Sequence, residues 1–223
     1  WMADDDLLMP DVLALYDAKL KANPQIDVIY GKLQVFDHES GQDLNVFTPN
    51  DWTGRDDEVI GGKLYGSCIP DGGTATRRTI YAQVGPGPYD PEYTRAQDYE
   101  LWTRMVGHAR FMMVDEIVYR YRKHGGGASW GPLIDLSYDS KIIRRHLTRH
   151  ELPSLFTKLD WHNETGTRSV ALFRIARNLG EFCDHWNRCR FLEAIPDGQG
   201  DPHVLDALVD GYLRQGRLED AKG

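Results

Sequence analysis

The spacing of hydrophobic and polar positions changes several times along the chain, and each change marks an element. From Pro10 to Ala22, Val12, Leu13, Tyr16 and Leu20 recur at helical spacing, and Asn23-Pro24 stops the run. Asp27 to Phe36 is dense in β-branched and aromatic residues, which predicts a strand. His38 to Asp43 reads as a turn, and Leu44 to Phe47 is expected to pair back as a short strand. Asn50 to Glu58 reads as polar loop, and Gly61-Gly62 through Gly72-Gly73 as irregular chain close to a ligand or to another backbone. Thr76 to Val84 predicts a short helix with an Arg77-Arg78 pair, and Gly85-Pro86-Gly87-Pro88 a stiff, kinked loop. Ala96 to Gly107 predicts a second helix, with Tyr99, Leu101, Trp102 and Met105 as its apolar surface. Phe111 to Tyr121 reads as a buried strand interrupted by Asp115-Glu116, running on through Arg122-Lys123-His124 to Gly125-Gly126-Gly127.

Beyond about Trp130 the pattern is helical almost throughout. Leu133 to His150 predicts one amphipathic helix with a basic end. Leu172, Ile175, Ala176 and Leu179 form one helical stripe, and Leu205, Leu208, Val209 and Tyr212 form another at a constant offset suited to helix-pair repeats. Tyr212 to Ala221 resembles the helix end, glycine turn and helix start of a tetratricopeptide repeat, a turn the first stripe lacks.

Composition narrows the function classes. A net charge of −8 argues against binding nucleic acid or anionic lipid by bulk attraction. No apolar run approaches bilayer length, so no transmembrane segment and no signal peptide are expected. Cys68, Cys183 and Cys189 are an odd count without CxxC spacing, which speaks against a disulfide framework or a zinc site and for a reducing compartment. The expected location is cytoplasmic, or peripheral at the inner face of the membrane. A chain that opens on Trp1 and reaches its acidic run at once is expected to be part of a longer protein.

That acidic run, Asp4-Asp5-Asp6, is the densest chemistry in the sequence. Adjacent carboxylates repel one another unless they share a cation, and hard oxygen ligands suit Mg²⁺ or Mn²⁺. The plainer reading is a solvated acidic cap ahead of a helix whose first turn takes Pro10. Asp98 has an equally plain reading, as a helix cap aligned with the helix dipole. His124 reads as a loop histidine, Arg120 and Arg122 as solvated strand residues, and Tyr99 and Trp102 as core. Gly125 to Gly127 lacks the spacing of a phosphate-binding P-loop.

Three segments together carry a family resemblance. Ala3-Asp4-Asp5-Asp6-Leu7-Leu8-Met9-Pro10-Asp11 resembles the metal-binding segment of glycosyltransferase family 2 enzymes of GT-A fold, in which an acidic cluster closes a strand and a proline opens the next helix. Arg95 to Met105 is similar to that family's "aEDyeLwlRm" segment, with Gln97 where the family often has Glu. Val114 to His124 resembles its closing "v.e.l..YR.h" segment. The family's base-binding β-α-β half has no counterpart in the chain. The resemblance therefore implies an α/β fold: a partial GT-A mixed sheet with flanking helices, plus an α-helical C-terminal extension. The expected domains are residues 1–130 as the acceptor-side half of a GT-A domain, 131–165 as a helical connector, and 166–223 as an incomplete tetratricopeptide-like region.

The resemblance also implies roles. Asp98 matches the general base. Asp5 would hold the divalent cation (Mn²⁺ or Mg²⁺), with His124 contributing to the metal or the diphosphate. Asp4 would face the donor ribose, Asp6 would assist the metal or orient its neighbours, and Arg122 would serve the donor diphosphate. The implied activity is metal-dependent, inverting hexosyl transfer from a nucleotide-diphosphate sugar to a sugar, lipid-linked or protein hydroxyl, in polysaccharide or cell-envelope glycan synthesis. A protein partner on the C-terminal helices is part of the same expectation. Two alternatives stand beside it: a non-enzymatic helical-repeat interaction module with an incomplete catalytic half, and a Mg²⁺-dependent phosphohydrolase built on the same acidic cluster.

Overall fold

The computed structural model of the chain describes residues 1–49, 51, 53, 69–85, 87–125, 137–157, 159–181, 183–196, 198–217 and 219–222. Most of the loop expected over Asn50 to Glu58, the glycine-rich stretch up to Cys68, Pro86, Gly126-Gly127 and the start of the helix expected from Leu133 lie outside these residues. The chain divides into two compact units, one built from Trp1–Val59 and Ser67–Asp135, the other taking in Leu136–Gly223.

The first unit is a mixed sheet with flanking helices. Its strands are β1 (Leu7–Leu8), β2 (Val28–Asp37), β3 (Asp43–Phe47), β4 (Ala75–Thr76) and β5 (Phe111–Lys123). Their order is β1-β5-β2-β3, with β4 also on β2. Only β2 and β5 run parallel; the other pairs are antiparallel. Among the described residues the helices that join them are α1 (Val12–Ala22), α2 (Arg78–Val84) and α3 (Gln97–Met105).

Helix α1 stops at Asn23, whose N–H bonds the Lys19 carbonyl at 3.0 Å before Pro24 removes the next donor. Its buried face runs through Val12 and Tyr16, while Leu13 is exposed. Spacing alone placed Leu13 on the apolar stripe; one residue after Val12 it is rotated about 100° off that face. Val12 and Tyr16 pack with Ile29 and Leu33 of β2 and Val114, Val118 and Tyr119 of β5. The start of α2 is tied to the segment just ahead of β2 by Arg77, whose Nε donates to the Ile26 carbonyl at 2.6 Å.

Strand β5 is continuous, and Asp115-Glu116 bulge it rather than break it. Tyr30 pairs with Met113 and Leu33 with Tyr119, so three steps of β2 answer six of β5. Asp115 and Glu116 are exposed in the bulge, and Asp115 reaches Lys32 at 2.7 Å. The bulge folds over Gly31. A Cβ there would lie 2.7 Å from Val118 Cγ1, 2.8 Å from the Glu116 carbonyl oxygen and 2.9 Å from Val114 Cγ2.

The second unit is helical: α4 (Ser137–Arg149), α5 (Leu152–Leu155), α6 (Glu164–Glu181), α7 (His185–Glu193) and α8 (Pro202–Arg214). Leu172 and Ala176 of α6, Cys189 and Leu192 of α7, and Val204 and Leu208 of α8 share one core. The first predicted stripe is buried in full. The second is phased differently, because the buried face of α8 is Val204, Leu208 and Gly211, leaving Leu205 and Val209 exposed. Gly211 sets that phase: a Cβ on it would sit 2.5 Å from Cys189 Sγ. Helix α8 ends on Gly216 at φ +71°, with Arg217 N–H donating to Tyr212 and Gly216 N–H to Leu213, a Schellman close.

His146 of α4 is buried with neither ring nitrogen hydrogen-bonded among the described residues, and its ring lies 4.6 Å from that of His150. Burial, with His150 and Arg149 adding to it, holds its pKa down to about 3. The unfolded chain therefore takes up a proton near 6.5 that the folded chain refuses until about pH 3. Stability should fall as pH drops through that window, by about 1.4 kcal/mol per pH unit. Urea melts at pH 7.5 and pH 5.0 should show a smaller loss for His146→Leu than for the unaltered protein. In the first unit, Gly31→Ala should lower the unfolding free energy by about 1–3 kcal/mol through overpacking, read by the same melts.

Candidate active site

The three N-terminal carboxylates are placed by strand pairing. Asp4 and Asp5 form a turn, and Asp6 leads into β1, whose Leu7 and Leu8 pair with Arg120 and Tyr119. They do not cap α1; the residue before that helix is Asp11, which makes no side-chain cap bond. Asp4 is exposed, Asp5 half-buried and Asp6 buried. Asp6 Oδ1 accepts from the Arg122 backbone N–H at 2.6 Å and is also hydrogen-bonded by the Tyr119 hydroxyl. That hydroxyl in turn accepts from the Ala3 N–H at 2.9 Å. Burial pushes the Asp6 carboxyl above its usual range, and the two hydrogen bonds pull against that shift.

Asp5 turns another way. Its Oδ2 lies 2.8 Å from His124 Nε2, and its backbone carbonyl accepts from Arg122 Nε at 2.5 Å. The Arg122 guanidinium also approaches His38 Nδ1 at 3.3 Å and lies over the Phe36 ring at 4.7 Å. Arg120 covers the same ring at 4.4 Å and donates to Asp43 at 2.6 Å.

A cleft of about 810 Å³ lies next to the acidic turn, with Ala3 and Asp6 in its lining. Side chains alternate along a strand, so Leu33 and Val35 of β2, Asn45 and Phe47 of β3, and Tyr119 and Tyr121 of β5 form its floor. Arg120 and Arg122, on the alternate positions, face away. One wall is the Pro70–Gly72 segment. It is held by Tyr16, whose hydroxyl donates to the Gly73 carbonyl at 2.7 Å, and by Trp102, whose Nε1 donates to the Ile69 carbonyl at 3.0 Å. Gly72 and Gly73 lie flat against Tyr119; a Cβ on Gly72 would sit 2.4 Å from that ring. This is the close approach that the glycine-rich stretch implied, at its described end.

The N-terminal end of α3, residues 94 to 98, also lines the cleft. Ala96, at φ +54°, precedes the helix, so Asp98 sits in its first turn and is not its cap. Tyr99 and Trp102 are buried core. Arg104, paired with Glu100 at 2.7 Å, donates to the carbonyls of Val84, Gly87 and Pro88 and fixes the loop that delivers Tyr89 to the cleft. The Tyr89 hydroxyl donates to Asp71 Oδ2. Asp71 Oδ1 is buried without a hydrogen-bond partner among the described residues, and burial pushes this carboxyl up as well.

The residues that the sequence singled out thus fall into two groups. Asp6 and Asp98 line the cleft; Asp4, Asp5, Arg122 and His124 are not among its described lining. Asp71, Tyr89, Tyr119 and Tyr121 line it and were not identified from sequence. Tyr119 and Tyr121 lay inside the YR segment, where alternation could have found them, whereas Asp71 and Tyr89 carried no signal of their own.

Asp5 and His124 offer one carboxylate and one imidazole close together. Among the described residues no cluster of three His, Cys, Asp or Glu side chains is placed to hold a metal. That donor set fits a Mg²⁺ or Mn²⁺ ion that takes one or two protein ligands and completes its shell with phosphate and water. It does not make a self-sufficient cage.

No protein-family model matches the chain, and no curated protein does. Among solved structures the chain is similar to S. aureus TarS, residues 1–349, in complex with UDP-GlcNAc, at 13% identity and a TM-score of 0.55. The match covers 99% of this chain and 64% of that one, so the chain spans less than two thirds of that structure. The likeness is one of fold: a mixed sheet with flanking helices and a helical C-terminal region, of the GT-A-like kind expected of a glycosyltransferase.

Proposed function

We propose that the chain belongs to a metal-dependent, inverting glycosyltransferase of the family 2 type. The observation that carries this reading is a single cleft lined by both Asp98 and Asp6, in a chain of glycosyltransferase-like fold. The donor is a nucleotide-diphosphate sugar and the acceptor an alcohol of a sugar, lipid-linked or protein substrate, as in polysaccharide or cell-envelope glycan synthesis.

Asp98 is the general base. An alcohol is a poor nucleophile, and a carboxylate that takes its proton as the new bond forms contributes about 10²–10⁴-fold. Its position in the first turn of α3 and in the cleft lining supports this role. Asp6 is a positioning residue: through the Arg122 N–H and the Tyr119 hydroxyl it fixes the acidic turn to β5. Asp5 and His124 hold the cation, Asp4 contacts the donor ribose, and Arg122 faces the diphosphate. Bound there, a divalent ion neutralises charge on the departing diphosphate. The helical region is a tetratricopeptide-like partner-binding module, a reading favoured by the glycine close of α8 and by Leu205, Val209 and Leu213 standing exposed along that helix.

The test is transfer and donor binding on a panel of nucleotide sugars with Mn²⁺, with and without chelator. Asp98→Asn should lower transfer by about 10²–10⁴-fold with donor binding retained. Asp5→Ala should remove the cation dependence of donor binding. Transfer unchanged in both variants would refute the assignment, and phosphoester turnover without any acceptor would favour a phosphohydrolase.

A further inference from the structure

The charge and apolar character of the cleft bear on what it accepts. Among its described lining residues the ionisable acids are Asp6, Asp71 and Asp98, against one arginine, Arg95. The guanidiniums of Arg120 and Arg122 stack on Phe36 at the alternate face of the sheet, so they do not offset these carboxylates inside the cleft. Asp71 and Tyr89 make the acidic side specific. Tyr89 is fixed by its bond to Asp71 and lies close enough to Asp98 for that carboxylate to push its phenol up. The floor beside them is aliphatic and aromatic: Leu33, Val35, Phe47 and Tyr121. Aromatic faces bordered by carboxylates suit a ring whose edge carries hydroxyl or amine donors and whose face is C–H.

We propose that the acceptor is an uncharged or amine-bearing sugar ring, and that the cleft rejects rings carrying phosphate, sulfate or carboxylate beside the attacked hydroxyl. The proposal rests on the glycosyl-transfer reading and adds the acceptor's chemical class to it. An anionic group near Asp98 would meet like charge from Asp71 and Asp98 on a low-dielectric floor, where repulsion is weakly screened. A hydroxyl or ammonium group can donate to the same carboxylates. Asp71 already sits in a desolvated position, its Oδ1 without a hydrogen-bond partner among the described residues, so a further anion beside it adds like charge where solvent screening is weak.

Calorimetric titration of the intact protein with three trimers of one skeleton tests this: chitin trimer (neutral), chitosan trimer (amine-bearing) and O-sulfated chitin trimer, each with Mn²⁺ and a nucleoside diphosphate present. The neutral and amine trimers should bind, and the sulfated one should bind about tenfold more weakly or worse. Asp71→Asn and Asp98→Asn should each narrow that gap; Asp98→Asn serves where Asp71→Asn does not fold. Sulfated trimer binding as tightly as the neutral one, a gap unmoved by both substitutions, or binding by none of the three overturns the proposal. Nucleotide-sugar binding by the same protein is read separately. Its failure counts against glycosyl transfer itself, whatever the ranking of the trimers.

Discussion

Tyr119 joins the parts of the first unit. Its ring lies in the core beside Val12, Tyr16 and Ile29, and its other side is covered by Gly72 and Gly73. Its hydroxyl accepts the Ala3 N–H and bonds Asp6. One side chain therefore sets the depth of the N-terminal arm, the path of the cleft wall and the burial of a carboxylate. The phenol is pushed well above its ordinary pKa, first by burial and then by the nearby acids, so it stays a neutral donor across the ordinary pH range. A neutral hydroxyl can accept from an amide and donate to a carboxylate without adding a charge to a site already rich in acids.

Strand pairing gives three neighbouring aspartates three environments. Asp4 remains in solvent, Asp5 turns to His124 and Asp6 goes under the arm. Read as a sequence the three are chemically one cluster. In the fold Asp4 and Asp5 sit in a turn ahead of β1 and Asp6 leads into that strand, and this change of path gives each carboxylate a different set of partners. The proposed cation ligand Asp5 and the proposed base Asp98 accordingly belong to different groups of side chains, with Asp6 and the β5 backbone linking them.

The elements themselves were readable wherever a local rule acts. Asn23-Pro24 ends α1, the β-branched run forms β2, and the turn after Asp37 returns β3 onto it. Errors came where a distant contact overrides the local period. Leu13 and Val209 are apolar at helical spacing yet exposed, since neighbouring helices and strands choose which face is covered. Gly211 against Cys189 does this for α8. Asp115-Glu116 suggested a break, because a polar pair inside an apolar run cannot reveal that the partner strand has a glycine opposite it. Asp98 in the cleft was found through the segment around it. Asp71 and Tyr89 lie far apart in sequence and meet through a single hydrogen bond, which no spacing along the chain encodes.

The bulge over Gly31 has a consequence for the cleft floor. Ahead of it, even-numbered residues of β5 answer odd-numbered ones of β2, as Met112 answers Ile29; past it, odd answers odd, as Tyr119 answers Leu33. An odd surplus of residues swaps the two sides of a strand. Had the surplus been even, Arg120 and Arg122 would share a side with Leu33 and Val35, and two cations would replace two phenols on the cleft floor. The acidic, aromatic character of this pocket is thus a matter of counting: parity, set by a kink around one glycine, decides its sign of charge.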